Sequence, residues 1–131
     1  MKKKIIAILI SSTLALTANV ALAGSASAAC ANKLTSTFLP VPEKGAIYLT
    51  AHVNRCDNSI VTVKAKISEK FGVSWYSRAS TSKVVPFGKS NVYATASCLG
   101  HGTDNWTGVV EGFDAAGQLI YTTTKSATVV C

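Results

Sequence analysis

Apolar and polar residues alternate with a period of two over much of the chain. Ile47, Leu49, Ala51 and Val53 alternate with Tyr48, Thr50, His52 and Asn54. Val61, Val63, Ala65 and Ile67 alternate with Thr62, Lys64, Lys66 and Ser68, and Val92, Ala94, Ala96 and Cys98 alternate with Tyr93, Thr95 and Ser97. Successive side chains of a strand point to opposite faces, so each run has one dry and one wet face, as antiparallel strands do. β-branched and aromatic residues fill these runs, and no segment beyond residue 28 combines a helical period with a cap.

Turn-forming clusters separate the runs. Pro40-Val41-Pro42-Glu43-Lys44-Gly45 ends the first strand, and Cys56-Asp57-Asn58-Ser59 is a tight polar turn. Asp114-Ala115-Ala116-Gly117 reads as a type I turn closed by a left-handed glycine, joining Trp106–Phe113 to Gln118–Thr124. The stretch Glu111 to Gln118 around this turn resembles a hairpin of bacterial immunoglobulin-like domains. That resemblance implies a sandwich and transfers no functional residue. The expected fold is all-β: a small antiparallel β-sandwich, immunoglobulin-like or a similar Greek key, of about seven or eight strands.

The first residues have a different pattern. Lys2, Lys3 and Lys4 precede an apolar run from Ile5 to Leu16, and small residues follow with two A-x-A sites, Ala21-Leu22-Ala23 and Ala26-Ser27-Ala28. This order identifies 1–28 as a cleaved secretory signal peptide and leaves 29–131 as a single domain. The apolar run is short for a membrane span. Acylation at Cys30 is disfavoured, because Ser27 stands where a lipobox carries an aliphatic residue and an odd number of thiols would remain. The expected location is extracellular, with or without association with the cell surface.

Export changes the reading of the cysteines and of the charge. Cys30, Cys56, Cys98 and Cys131 are widely spaced, with no C-x2-C pair, so two disulfides are expected rather than zinc. Three pairings are open. We favour Cys30–Cys56 at the open end of a hairpin turning about Glu43, with Cys98–Cys131 clipping the last strands together. Pairing about Glu43 sets Leu34 against His52 on mismatched faces, which a bulge near Gly45 would repair. The alternative is Cys56–Cys98 across the sheets, packed on Trp75. Of 13 basic residues, three lie in the signal, so the domain carries ten against six acids, a net charge of +4. That is a mild attraction to anionic surfaces and no nucleic-acid signature.

The charge is unevenly placed. Ile60 to Ser90 holds six basic residues and one acid, Glu69. Lys64, Lys66, Arg78 and Lys83, interleaved with Trp75 and Tyr76, form the candidate binding set: cations attract polyanions and aromatic rings stack. Lysines on a wet face also serve solubility. A second candidate is the loop with Leu99, His101, Asp104 and Trp106, where His101 and Asp104 could orient a general base. No nucleophile is tied to it, no metal-ligand spacing is present, and no cofactor is expected. The leading reading is a secreted, non-catalytic binding module for an anionic envelope, glycan or matrix surface. The alternatives are a secreted effector (toxin, bacteriocin or enzyme inhibitor) and a small hydrolase centred on His101 and Asp104.

Overall fold

The computed structural model describes residues 30–131, so the signal peptide expected at 1–28 lies outside the described residues. Seven strands follow one another: β1 Lys33–Val41, β2 Ala46–Arg55, β3 Thr62–Phe71, β4 Ser74–Val84, β5 Gly88–Ser97, β6 Thr103–Phe113 and β7 Leu119–Val130. They form a three-stranded sheet ordered β1-β2-β5 and a four-stranded sheet ordered β4-β3-β6-β7, with every pairing antiparallel. The chain changes sheets after β2, β4 and β5, which makes an immunoglobulin-like Greek-key sandwich.

The dry faces are those of the alternation. Ile47, Leu49, Ala51 and Val53 of β2 meet Val63, Ala65 and Ile67 of β3, with Val92, Ala94 and Ala96 of β5 and Val110 of β6 completing the core. Gly108 lies on the inner face of β6, where an added Cβ would sit 2.7 Å from Phe38 and 2.9 Å from Leu49. Overpacking at such a site costs about 1–3 kcal/mol. Gly108→Ala is therefore expected to lower the denaturant midpoint with little change in slope.

Polar contacts close the sandwich where two edges approach. Lys125 Nζ donates to the Ser36 carbonyl at 2.7 Å, and Thr123 Oγ1 donates to Ser36 Oγ at 3.1 Å, tying β7 to β1. At the end holding the β2–β3 loop, buried Arg55 donates to the carbonyls of Val85 and Asp57 and to Asn58 Oδ1, and its guanidinium covers the Phe87 ring at 4.2 Å.

Two connections differ from expectation. β1 and β2 pair Leu34 with Val53 and Val41 with Ala46, so the hairpin is centred between Glu43 and Lys44. The loop has four residues, closed by Gly45 at φ 62°, and Leu34 keeps its dry face without a bulge near Gly45. Cys98 is bonded to Cys131, as expected, but it joins the end of β5 to the residue after β7, in opposite sheets. Cys30 and Cys56 are also disulfide-bonded, which leaves them to each other and excludes Cys56–Cys98.

Candidate functional site

The functional candidates from the sequence fall on two faces of the four-stranded sheet. Register assigns them. Lys64, Lys66, Ser68 and Lys70 point outward from β3, opposite Ser82, Ser80, Ser77 and Trp75 of β4. Their partners in β6 are Glu111, Val109, Thr107 and Asn105, which in turn face Thr122, Thr124, Ser126 and Thr128 of β7. The result is a face of hydroxyls crossed by a row of lysines, with Trp75 standing beside Lys70; Ser68 and Thr107 within it are buried. Trp75 is 49% exposed, and Lys70 Nζ lies 5.9 Å from its ring centre. Lys70, Trp75, Asn105, Ser126 and Thr128 line a shallow groove there, in which Asn105 Oδ1 accepts a hydrogen bond from Thr128 Oγ1 at 2.7 Å.

Tyr76, Arg78 and Lys83 are not on that face. Tyr76 pairs with Glu69, and Lys83 pairs with Val63, both inner-face positions of β3. The ladder slips by one residue between Ile67 and Ser68, which leaves Arg78 of β4 without a register partner in β3. This bulge re-aims Arg78 towards the inner side. The six-residue binding set thus separates into Lys64, Lys66 and Trp75 on one side and Tyr76, Arg78 and Lys83 on the other. Lys70 was missed, although two-residue counting from Lys64 and Lys66 places it in their phase.

Arg78 is drawn inward by Glu69, the one acid among the bases of Ile60 to Ser90. Glu69 continues the phase of Val63, Ala65 and Ile67, so it belongs to the dry face, and it is 1% exposed. Its Oε2 accepts from Arg78 Nε at 2.9 Å and pairs with His101 Nδ1 at 2.7 Å. Burial pushes the Glu69 carboxyl up, but hydrogen bonds from His101, Asp104 and Arg78 outweigh it and hold the group below the ordinary range. The hydrogen bond to Glu69, with some desolvation and the Glu69 charge, raises Asp104 above its ordinary value. Trp106, opposite Glu69 in register, is fully buried and meets the His101 ring edge-on at 5.5 Å between centres.

Leu99, His101, Asp104 and Trp106 therefore do not form one exposed recognition loop. Leu99 is exposed and lies where a Cβ on Gly45 would be, while His101 and Asp104 fold back onto Glu69. Ligand atoms of Glu69, His101 and Asp104 lie within 4.8 Å of one another. Arg78 Nε is held on Glu69 Oε2 within the same cluster.

On the outer face of the three-stranded sheet, His52 is the centre of a hydrogen-bonded row. Its Nε2 pairs with Thr37 Oγ1 at 2.8 Å and its Nδ1 with Asn91 Oδ1 at 3.1 Å, while Asn91 Nδ2 donates to the Tyr93 hydroxyl. This is the solvent-facing strand position expected of His52. No helix among the described residues is long and apolar enough to cross a membrane.

No family model and no curated protein matches the sequence. Among solved structures, the chain is similar to wild-type OgpA from Akkermansia muciniphila, at 9% identity and a TM-score of 0.47, over 77% of this chain and 27% of that one. DesR, a β-glucosidase from Streptomyces venezuelae, aligns at 14% identity and a TM-score of 0.39, over 72% of this chain and 15% of DesR. A strand-swapped CTLA-4 from duckbill platypus aligns at 12% identity and a TM-score of 0.33, over 76% and 81% of the two chains. The chain spans about a quarter of the length of OgpA. These likenesses are weak in sequence and in superposition, and the fold rests on the strand order itself.

Proposed function

We propose that the protein is an extracellular, non-catalytic binding module that holds an anionic envelope polymer or acidic glycan against the outer face of its four-stranded sheet. One observation carries this reading: Lys64, Lys66 and Lys70 share a solvent-facing row, and half-exposed Trp75 stands beside the last of them. Six residues of extended strand span about 20 Å, so the row suits an extended polyanion better than a single small ion. Ser and Thr around it offer hydroxyls to a sugar, and the Trp75 ring offers a flat apolar surface. Glu111 is the register partner of Lys64, so Lys66 and Lys70 supply the stronger attraction.

The test is retention of the purified secreted protein on a carboxylated polysaccharide, polygalacturonate. Binding is expected to fall steeply between about 10 mM and about 1 M salt, as the screening length shrinks from about 30 Å to about 3 Å. Lys66→Ser with Lys70→Ser is expected to weaken binding at least ~fivefold, a loss of about 1 kcal/mol. Absence of binding at low salt, or binding indifferent to both substitutions, would refute the proposal.

A further inference from the structure

The most exposed large apolar side chain among the described residues, Val73, stands at a hairpin tip with a second exposed one, Phe71, beside it. Phe71 is 64% exposed and Val73 is 95% exposed, on either side of Gly72. Gly72 has φ 65° and Val73 does not have positive φ, so the two-residue loop is of the II′ kind, with glycine at its first position. That geometry projects Val73 at the apex. The other hairpin turns, Pro42-Glu43-Lys44-Gly45 and Asp114-Ala115-Ala116-Gly117, are charged or small. A polar residue would serve equally well in an ordinary turn at residue 73, so solubility alone does not account for valine there.

Behind the apex, each face of the hairpin carries an aromatic ring with a cation over it. Lys70 lies over Trp75 on the outer face, and Arg78 lies over Tyr76, at 5.6 Å, on the other. Trp75 is two residues behind Val73, about 7 Å along the strand. Interfacial segments bury their apolar groups about 5–10 Å below the headgroups, with tryptophan and tyrosine at the boundary and lysine or arginine among anionic headgroups. The order apolar apex, paired aromatics, paired cations matches that gradient. The tip is also convex, and a lipid interface, unlike a protein groove, accepts a convex apolar point without a complementary pocket.

We propose that the Phe71-Gly72-Val73 tip inserts into the interfacial zone of an anionic lipid membrane, with Trp75 and Tyr76 at headgroup depth and Lys70 contacting anionic headgroups. This goes beyond the polymer-binding reading and does not depend on it.

The experiment uses the full secreted protein and vesicles of equal parts phosphatidylcholine and phosphatidylglycerol. The chain has two tryptophans, and Trp106 is sealed in the core, so an emission change on binding reports Trp75. The expected result is co-sedimentation, a blue shift, and quenching by lipids brominated near the headgroup. Phe71→Ser and Val73→Ser should each weaken vesicle binding about tenfold, since burying such a side chain is worth about that factor. Both positions are exposed, so far-ultraviolet dichroism should be unchanged. Polygalacturonate retention should survive in these variants and weaken at least ~fivefold in Lys66→Ser/Lys70→Ser, which separates failure of one proposal from failure of the other. No blue shift, vesicle binding indifferent to both tip substitutions, or binding abolished by salt without quenching would overturn the insertion. So would a tip-dependent interaction with an extracellular protein in the absence of lipid.

Discussion

Glu69→Ala is expected to lower the stability of the domain by about 3 kcal/mol, because removing one partner of a buried charged network leaves the others uncompensated. The value lies at the low end for such sites: Arg78 is 38% exposed and can turn to water, which discounts its share. Chemical denaturation of wild type and variant measures the difference, and a loss below about 1 kcal/mol would mean the network is not buried as described. The same residue predicts a pH effect. The folded Glu69 carboxyl titrates below its ordinary value of 4.5, so its contribution is present above 4.5 and is lost as pH falls through the lower folded value. Asp104 acts in the opposite sense: its folded value is raised, so its contribution is present below 3.8 and is lost as pH rises through the folded value. Asp57, held down by hydrogen bonds from Ser59 and Asn32, adds to the acid loss. The melting temperature should therefore fall as the solution is acidified below pH 4.5, and Glu69→Gln should make that fall shallower without abolishing it.

Replacing Cys98 and Cys131 together by alanine is expected to cost about 4 kcal/mol. The bond closes a loop with a sequence separation of 33, and the chain-entropy estimate for such a loop is about 3.7 kcal/mol. The geometry adds a local reason for the effect. Cys98 is fully buried, its N–H donates to the Gly45 carbonyl at 2.9 Å, and the Cys131 N–H donates to the Gly102 carbonyl at 2.9 Å. The bridge therefore anchors the β5–β6 loop at both ends, and that loop carries His101 onto Glu69. The double variant should lose stability and also show faster amide exchange around His101 and Asp104. A melting temperature within a degree or two of wild type would contradict this account.

Particular residues show how far the chain could be read before the structure. Ile47, Leu49, Ala51 and Val53 took the dry face that their spacing required, and the Asp114 to Gly117 turn formed with Asp114 Oδ1 accepting from the N–H groups of Ala116 and Gln118. Lys64 and Lys66 share a wet face as counted. Glu69 was equally legible by counting and was passed over, because its charge spoke for the surface while its phase spoke for the core. Tyr76 and Arg78 were not legible. One unpaired residue in β4 changes the phase of everything before it, and no residue type at positions 77–79 announces a bulge.

By itself, then, the amino-acid order determined what is local: the faces of single strands, the turns, the supply of four cysteines and the surplus of cations. Only the tertiary structure decided which strands lie side by side, that Cys98 and Cys131 bridge opposite sheets, and that Glu69 gathers Arg78, His101 and Asp104 from two other segments. Alternation is fixed residue by residue through the geometry of extended backbone. Sheet membership depends on where the chain crosses between layers, a choice settled only by the packing of the whole domain.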